Sequence, residues 1–278
     1  MKVIKFIFKF ITIIIGLTIL IGIYSTFIER KLLIVKDKEI KLSHGNEIDL
    51  NIVQFSDTHL GDYYSLEDLK KVVDKINSLD ADIVVFTGDL IDEANKYAHL
   101  NEIPEVLSKI KSKYGKFCVY GNHDYGGGAY EYYSNIMKSS GFQLLVNSSV
   151  TLNIDNKIVN ISGADDGIWG NIDYNKTMSK CSTETIDILL LHEPDLVNGF
   201  SNYPIDLVLS GHSHGGQVYI PFYGSLVTTD FANNYQKGLY DIKNKWGTQL
   251  FVSSGIGNTK VPFRFFNIPE IINFKLGE

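Results

Sequence analysis

Residue types that bind metal ions follow five apolar segments of the chain, at the point where each segment ends. Segments of this kind, rich in β-branched residues, are typical of buried strands. Because ligands of α/β sheets bind beyond the carboxyl ends of the strands, we expect these residues to meet at one edge of the fold. In chain order they are Asp57, His59, Asp89, Asn122, His123, His192, His212 and His214, and they include five of the seven histidines.

The candidate ligands, taken without His123, are carboxylates, imidazoles and one carboxamide. This mix suits Mn²⁺, Fe or Zn²⁺, and it suits Mg²⁺ less well because of the histidines. Seven candidates are too many for one tetrahedral ion, but they suffice for two divalent ions about 3.5–4 Å apart that share a carboxylate. The two cysteines, Cys118 and Cys181, allow neither a disulfide framework nor a thiolate zinc site.

Spacing adds a geometric expectation for two pairs of candidates. One residue separates Asp57 from His59, and one separates His212 from His214. On an extended segment such side chains point the same way, so each pair could reach one point together. A single polar motif of this kind usually belongs to a turn or contains a structural histidine. A site is predicted because such motifs recur at the ends of five segments.

The elements that must position these residues alternate between strand and helix in the first half of the chain. The segment 65–79 is predicted as an amphipathic helix that begins with a capping-box-like pair, Ser65 and Asp68. The other helices are predicted over 102–115, closed by Gly115, and over 130–141. The strands between them are predicted over 48–55, 82–87 and 116–120.

The second half of the chain reads mainly as strands. Residues 142–163 have no room for helices and predict a hairpin or meander. Further strands are predicted over 186–192, over 205–211 and in the tail at "VYI", "GLYDI" and "QLFVSSG". The expected fold class is therefore α/β, with a mixed, partly antiparallel second half and one main domain of about 235 residues.

An uncharged apolar stretch of 19 residues runs over 10–28. Its helical length of about 30 Å matches the hydrocarbon core of a bilayer. It lacks the small-residue cleavage site of a signal peptide and the polar face of a core helix, so we predict an uncleaved transmembrane anchor over 1–31. Lysines before the stretch and basic residues after it favour opposite orientations, and we take a catalytic body outside the cytoplasm as the working prediction.

The rest of the chain is acidic. Beyond residue 31 it carries 21 Lys+Arg and 31 Asp+Glu, a net charge of −10. Such a body is a poor surface for nucleic acid, so no nucleic-acid partner is expected. We also expect a monomer, with the membrane and a phosphorylated small-molecule or lipid-linked substrate as its partners.

Five motifs together resemble those of the calcineurin-like metallophosphoesterases. In order they are "SDTH", "TGDL", "YGNHD", "LLHEPD" and "SGHSHGGQ", and the resemblance runs from about residue 50 to the chain end. It implies two mixed β-sheets packed as a sandwich and flanked by helices. The phrases "GHSHGGQVYIP" and "SSGIGNTKVPFRFFNIPEI" are similar to a narrower branch of bacterial membrane-anchored phosphoesterases, some of which hydrolyse UDP-2,3-diacylglucosamine.

The resemblance also implies a role for each site residue. Asp89 would bridge the two ions, and His123 would not be a ligand but a proton donor near the leaving group. Asp124 would orient His123 or its loop. One ion would be held by Asp57, His59, Asp89 and His214, and the other by Asp89, Asn122, His192 and His212.

The expected activity is hydrolysis of a phosphodiester or pyrophosphate bond by a hydroxide that bridges the two metals. A nuclease or cyclic-nucleotide phosphodiesterase and a catalytically silent, membrane-tethered scaffold remain as alternatives. The predicted division is an anchor with flanks at 1–31, a connector with an opening strand at 32–47, and the catalytic domain at 48–278. Asp165 and Asp166 are expected in a turn, and Arg264 either at a second phosphate or headgroup or in a surface salt bridge.

Overall fold

The structure is a computed structural model, and it describes residues 1–42 and 48–277. The end of the predicted connector, with His44, lies outside the described residues. The helices are α1 (Lys2–Ile23), α2 (Leu66–Asn77), α3 (Ile103–Leu107), α4 (Asn122–Tyr125), α5 (Tyr130–Ser139) and α6 (Tyr174–Thr177). The strands are β1 (Ile34–Ile40), β2 (Leu50–Phe55), β3 (Ile83–Phe86), β4 (Gly115–Cys118), β5 (Gln143–Leu144), β6 (Ser148–Ile154), β7 (Lys157–Gly163), β8 (Ile186–Leu190), β9 (Leu207–Ser210), β10 (Tyr219–Ile220), β11 (Gly224–Ser225), β12 (Gly238–Asp241), β13 (Gln249–Val252) and β14 (Glu270–Leu276).

Within the described ranges the strands form two six-stranded mixed sheets and one small ribbon, β10–β11. The first sheet has the order β1-β14-β2-β3-β4-β5, in which β2 to β5 are parallel and β14 runs antiparallel to β2. The second has the order β12-β13-β9-β8-β7-β6, with antiparallel strands at its two edges. The hairpin predicted within 142–163 is confirmed as β6–β7.

The two sheets pack face to face through their apolar side chains. Ile52 and Val85 of the first sheet and Ile188 and Leu209 of the second belong to one fully buried cluster between them. Helices α2, α3 and α5 cover the outer face of the first sheet, and α6 lies with loops against the second. The predicted class, an α/β sandwich of two mixed sheets flanked by helices, is confirmed.

Local sequence accounts for the start of α2. Ser65 accepts a hydrogen bond from the Asp68 backbone N–H, and the Asp68 side chain accepts one from the Ser65 backbone. This capping box satisfies two backbone donors that the first helical turn leaves without partners. The apolar stripe of the helix, including Leu69, Val72 and Ile76, is buried against the first sheet.

Two predictions of secondary structure are corrected. The helix expected over 102–115 stops at Leu107, and Gly115 begins β4 instead of closing a helix. The side chain of Asn77 ends that helix, because it accepts from the Lys111 N–H and donates to the Lys109 carbonyl. Strand β14 has no counterpart among the predicted strands, although it lies inside the first sheet, between β1 and β2.

Helix α1 has no buried residue. The helical path continues beyond it to Lys31, first as a π-helix over Tyr24–Ile28 and then as a 3₁₀-helix over Glu29–Lys31. It is the one helix of the described chain that is long and apolar enough to cross a membrane. Two residues follow it before β1 begins at Ile34, and β1 pairs with β14 along its whole length. The opening strand expected within the connector is therefore part of the first sheet.

Candidate metal centre

The carboxyl ends of strands from both sheets meet at one edge of the sandwich. Strands β2, β3 and β4 of the first sheet lead into the residues at 57–59, 89 and 122–123, and β8 and β9 lead into those at 192 and 212–214. The backbone N–H of His212 donates to Asp57 Oδ1 over 2.8 Å, which ties the two sheets together at this edge. All eight residues singled out in the sequence lie in this region.

The first group of possible metal ligands comprises Asp57, His59 and His214, all buried. The Nε2 atoms of His59 and His214 are 2.9 Å apart, and Asp57 Oδ1 lies 3.7 Å from His214 Nε2. Asp57 Oδ2 is buried and has no hydrogen-bond partner among the described residues. Buried carboxylate oxygens rarely stay without partners, so this atom is a natural metal ligand.

The second group comprises Asp89, His192 and His212, again buried. His192 Nε2 lies 3.3 Å from Asp89 Oδ2 and 3.3 Å from Asn122 Oδ1. The same Asp89 oxygen is 3.3 Å from His59 Nε2 in the first group. Asp89 therefore stands between the two groups and faces one histidine from each.

The backbone at this edge is not extended, which corrects the expectation from spacing. Asp57, His59, Asp89, His212 and His214 all have positive φ, between 43° and 68°. Asp and His tolerate this left-handed region better than most residues, and strain of this kind concentrates at functional sites. The turn separates His212 from His214, which enter different groups instead of reaching one point together.

The partners of the histidine ring nitrogens indicate whether these residues fit a metal. His192 Nδ1 lies 2.6 Å from the Thr87 carbonyl oxygen, so Nδ1 carries the proton and donates it. Nε2 then faces two oxygens, those of Asp89 and Asn122, and a metal ion among these three atoms would make that arrangement favourable. Metal-bound histidines characteristically donate their other N–H to a carbonyl or carboxylate. The donor set thus fits divalent ions.

The electrostatics of the site agree with this fit. Burial lowers the pKa of His59, but hydrogen bonds to Asp89 and Asp92 outweigh it and raise the pKa to about 10. Burial raises the pKa of Asp89, yet His192 and His123 hold it well below the usual range. The carboxylates therefore attract positive charge to these imidazoles, and divalent ions would supply that charge in place of protons.

His212 and His214 stay neutral in the same environment. Burial, followed by the charge of His192, lowers the pKa of His212 to about 4. Burial and the charges of His59 and Arg264 hold the pKa of His214 well below its ordinary value. Neutral imidazole is the form that binds a metal.

His123 borders the cleft and is partly exposed. Its backbone N–H donates to Asp89 Oδ1 over 2.8 Å, and its Nδ1 lies 3.2 Å from Asp92 Oδ1. Burial lowers the pKa of His123, but the Asp89 and Asp92 carboxylates raise it by more, so the net shift is upward. The Nε2 atom is left as the ring nitrogen without an assigned protein partner among the described residues.

Sequence reasoning missed Asp92. Its Oδ1 lies 3.3 Å from His59 Nδ1 and 3.2 Å from His123 Nδ1, so one carboxylate orients both rings. Asp92 lies in "TGDLIDE", only a few positions after the end of a predicted strand. This closeness to the other candidate residues along the chain was the signal by which the sequence could have indicated it. What the sequence could not indicate is the turn that brings Asp92 back onto both histidines.

The hydrogen bonds of two neighbouring carboxylates define their roles. Asp124 does not contact His123; its carboxylate accepts from the backbone N–H groups of Asp89, Leu90 and Gly121 over 2.8–2.9 Å. It thereby holds the loop that carries Asp89, the second of the two roles foreseen for it. Asp166 lies in the expected turn, where its side chain accepts from the Trp169 N–H.

Arg264 is a clear correction, because it is fully buried and lies neither at the surface nor free for a ligand. Its guanidinium donates to the carbonyl oxygens of Ser254, Gly257 and Asn267. Its Nη2 lies 3.4 Å from His214 Nδ1. The residue thus supports the loop behind the metal centre.

An open cleft of about 560 Å³ adjoins the two groups. Asp89, Asn122 and His123 line its inner end. Its outer walls are formed by segments around 216–218, 227–230 and 259–263, which mix apolar with polar side chains. The apolar ones are Val218, Val227, Val261 and Phe263.

Comparison with known proteins agrees with this geometry. A model of the calcineurin-like phosphoesterase family matches residues 50–216. The chain is 40% identical over 257 residues to the uncharacterized metallophosphoesterase YkuE of Bacillus subtilis (strain 168), covering 91% of this chain and 88% of that protein. It is 28% identical to the UDP-2,3-diacylglucosamine pyrophosphatase LpxG of Chlamydia muridarum, covering 94% of each.

Other matches are partial or distant. The chain spans about three fifths of related metallophosphoesterases from Campylobacter jejuni and Helicobacter pylori. Among solved structures, the protein TT1561 of Thermus thermophilus is similar over 75% of this chain and 91% of its own, with a TM-score of 0.46 and 12% identity.

Proposed function

The chain belongs to the calcineurin-like phosphoesterase family and is a metal-dependent phosphoester hydrolase, and on this basis we propose that it cleaves a phosphodiester or pyrophosphate bond with two divalent ions. The position of Asp89 is the observation that supports two ions. Its Oδ2 lies 3.3 Å from a histidine nitrogen of each ligand group, as a shared carboxylate should.

We assign the ligands as the two groups suggest. Asp57, His59, Asp89 and His214 hold one ion, and Asp89, Asn122, His192 and His212 hold the other. The donors are oxygen and imidazole nitrogen, which favours Mn²⁺, Fe or Zn²⁺. Two divalent ions would supply a water of lowered pKa for attack on phosphorus and positive charge for the phosphoryl oxygens.

The chain's own charges support this balance. Asp57 belongs to the first group and Asp89 faces both groups, and the neutral imidazoles and Asn122 add no charge. Two carboxylates do not neutralise two divalent ions, so a net positive charge remains to bind the phosphoryl group. Burial excludes water from the ligands and strengthens that attraction.

We assign His123 as the proton donor to the leaving oxygen. Asp92 holds its Nδ1, which leaves Nε2 for the cleft, and the upward shift of its pKa favours the protonated ring. General acid catalysis of this kind is typically worth about 10²–10⁴-fold in rate. Asp92 is a positioning residue in this scheme.

For the substrate we propose a lipid-linked phosphodiester or pyrophosphate, such as UDP-2,3-diacylglucosamine. Three observations support this class: the substrate named for the chlamydial relative, the valine and phenylalanine side chains in the outer walls of the cleft, and the apolar N-terminal helix. The acidic body does not favour a nuclease.

We propose that helix Lys2–Lys31 is a single-pass anchor and that the body lies outside the cytoplasm. A cysteine introduced at exposed Lys138 on α5 should react with an impermeant maleimide in intact cells, in a background where Cys181 is serine. Reaction only after the cells are lysed would reverse the orientation without affecting the catalytic proposal.

The central experiment compares the full chain, purified with its membrane helix and loaded with Mn²⁺, with Asp89→Asn. The matched control is Asp155→Asn, because Asp155 has a similar positive φ of 49° but lies in the β6–β7 turn at the opposite edge of the sheet. Metal content is measured by mass spectrometry. Hydrolysis is measured on UDP-2,3-diacylglucosamine, bis-p-nitrophenyl phosphate, a monoester and a nucleic acid.

We expect two ions per chain in the parent and the control, and a loss of both metal and activity, by at least about 100-fold, in Asp89→Asn. One ion per chain in the active parent would overturn the dinuclear assignment. Full metal content without hydrolysis of any ester would favour the scaffold alternative, and preference for the nucleic acid would favour a nuclease.

A further inference from the structure

The sheet topology puts the membrane helix at the same edge of the molecule as the metal centre. Strand β1 begins at Ile34 opposite Glu270, the first residue of β14, and β14 runs antiparallel to β2. The start of β1 therefore lies level with the carboxyl end of β2, which leads directly to Asp57. Only two residues separate Lys31 from Ile34, a reach of about 10 Å at most.

Hydrogen bonds hold the end of the helix against loops of that edge. The backbone N–H of Arg264 donates to the Ser25 carbonyl over 3.3 Å, and the backbone N–H of Asn267 donates to Glu29 Oε1 over 2.5 Å. Arg30 Nη1 donates to the Tyr63 carbonyl over 3.0 Å. Ser25 and Glu29 are buried, so the helix end is built into the body and is not a flexible tether.

An exposed apolar surface continues from this junction around the mouth of the cleft. We call it the apolar rim; more than half of each side chain is exposed, and its members are Phe222, Tyr223, Leu226, Val227, Val261 and Phe266. The strand segment before β10 is bridged to the loop at Phe265, next to Phe266 and Asn267. Val227 and Val261 also line the cleft. The rim thus connects the helix junction with the substrate entrance.

We propose that the apolar rim rests in the interfacial layer of the bilayer that holds the helix, so that the cleft opens onto the membrane surface. Contiguous exposed apolar surface of this kind marks a protein or membrane contact. The continuity of the rim with a rigidly joined membrane helix selects the bilayer as its occupant, and aromatic side chains such as Phe222 and Tyr223 suit the interface.

This placement gives the substrate class a physical basis, and it rests on the membrane anchoring proposed above. A phosphoester whose lipid portion stays in the bilayer can present its headgroup to the metal centre without leaving the membrane. The upper part of the lipid chains would contact the apolar side chains of the outer cleft, which are Val218, Val227, Val261 and Phe263. A water-soluble phosphoester would gain nothing from this arrangement.

The test measures membrane contact directly on the full chain in phosphatidylcholine nanodiscs. In a Cys181→Ser background, with fully buried Cys118 retained, a fluorescent probe is attached through Phe222→Cys. The control carries the same probe through Ile158→Cys, an exposed apolar position at the start of β7, at the edge opposite the metal centre. Spin-labelled phosphatidylcholine is the quencher.

We expect the probe at position 222 to be quenched several-fold more strongly than the probe at 158, with its emission shifted to the blue. Equal quenching at the two positions would overturn the proposal. Hydrolysis of bis-p-nitrophenyl phosphate by the same labelled proteins is recorded separately. Membrane contact without hydrolysis would count against the proposed function alone, and hydrolysis without contact against the apolar rim alone.

Discussion

At the scale of single residues, each histidine of the metal centre divides its two ring nitrogens between the protein and the site. His192 donates Nδ1–H to the Thr87 carbonyl, and His212 has Nε2 2.8 Å from the Asp230 carbonyl. Asp92 occupies the Nδ1 of His59 and of His123. These partners decide which nitrogen of each ring is left for the proposed ions or, in His123, for the cleft.

Replacement of Asp92 by asparagine should separate this role from metal binding. The proposed acid, His123, must be protonated, and the Asp92 carboxylate helps to raise its pKa. Loss of that charge lowers the pKa, so the alkaline limb of the pH–rate profile should move to lower pH, and kcat should fall. The profile is measured with saturating Mn²⁺ and with metal content verified.

Asp62→Asn is the matched control, because Asp62 is an exposed acid in the loop after β2. Its profile should coincide with that of the parent. If the alkaline limb is unchanged in Asp92→Asn while both metals are bound, the assignment of His123 as an acid whose pKa is raised by Asp92 is contradicted.

At the scale of elements, the strands act as rigid supports whose ends converge. Gln54 of β2 donates to the Ser210 carbonyl of β9 over 3.0 Å, so the two sheets are joined just before their metal-binding loops begin. The chain then turns through left-handed residues, and the space between the loops is small. A Cβ atom at Gly211 would lie 2.3 Å from Asp57 Oδ2.

Gly211→Ala should therefore displace the Asp57 carboxylate that the first ion needs. We expect metal content and hydrolysis to fall together, while the fold, followed by circular dichroism, is retained. Gly61→Ala is the control, because it lies near the same edge and its Cβ would only make an ordinary contact of 3.4 Å with Asp92. Normal metal content in Gly211→Ala would contradict this account of the strand ends.

At the scale of the whole molecule, the membrane helix and the catalytic body form one structural unit. Glu29 is buried and accepts from the Asn267 N–H, and the Asn267 side chain donates to the carbonyl of the ligand His214. The end of the proposed anchor is thus two hydrogen bonds away from a proposed metal ligand. A truncated body would lose part of the support of its own site.

Glu29→Ala in the full chain tests this connection. It leaves the Asn267 N–H buried without a partner, which should lower the free energy of unfolding by about 1–3 kcal/mol and shift the melting temperature in detergent by several degrees. Metal affinity should fall with it. Glu39→Ala, on the exposed side of β1, should change neither property, and equal behaviour of the two variants would contradict the connection.

The sequence by itself determined the parts that depend on local patterning. Apolar periodicity predicted α2 with its capping box and most strands, and the polar residues after the strands indicated where a site would form. Residue chemistry indicated metal ions, and five motifs indicated the family. These features were readable because they arise from neighbours along the chain, where side-chain direction and backbone preference follow from a few residues.

Only the tertiary structure decided how the residues combine. The double contact of Asp92 and the burial of Arg264 depend on turns and on partners far along the chain. The position of β14 inside the first sheet and the early end of α3 have the same origin. Such contacts depend on which surfaces the packed sheets bring together, and no local pattern encodes that.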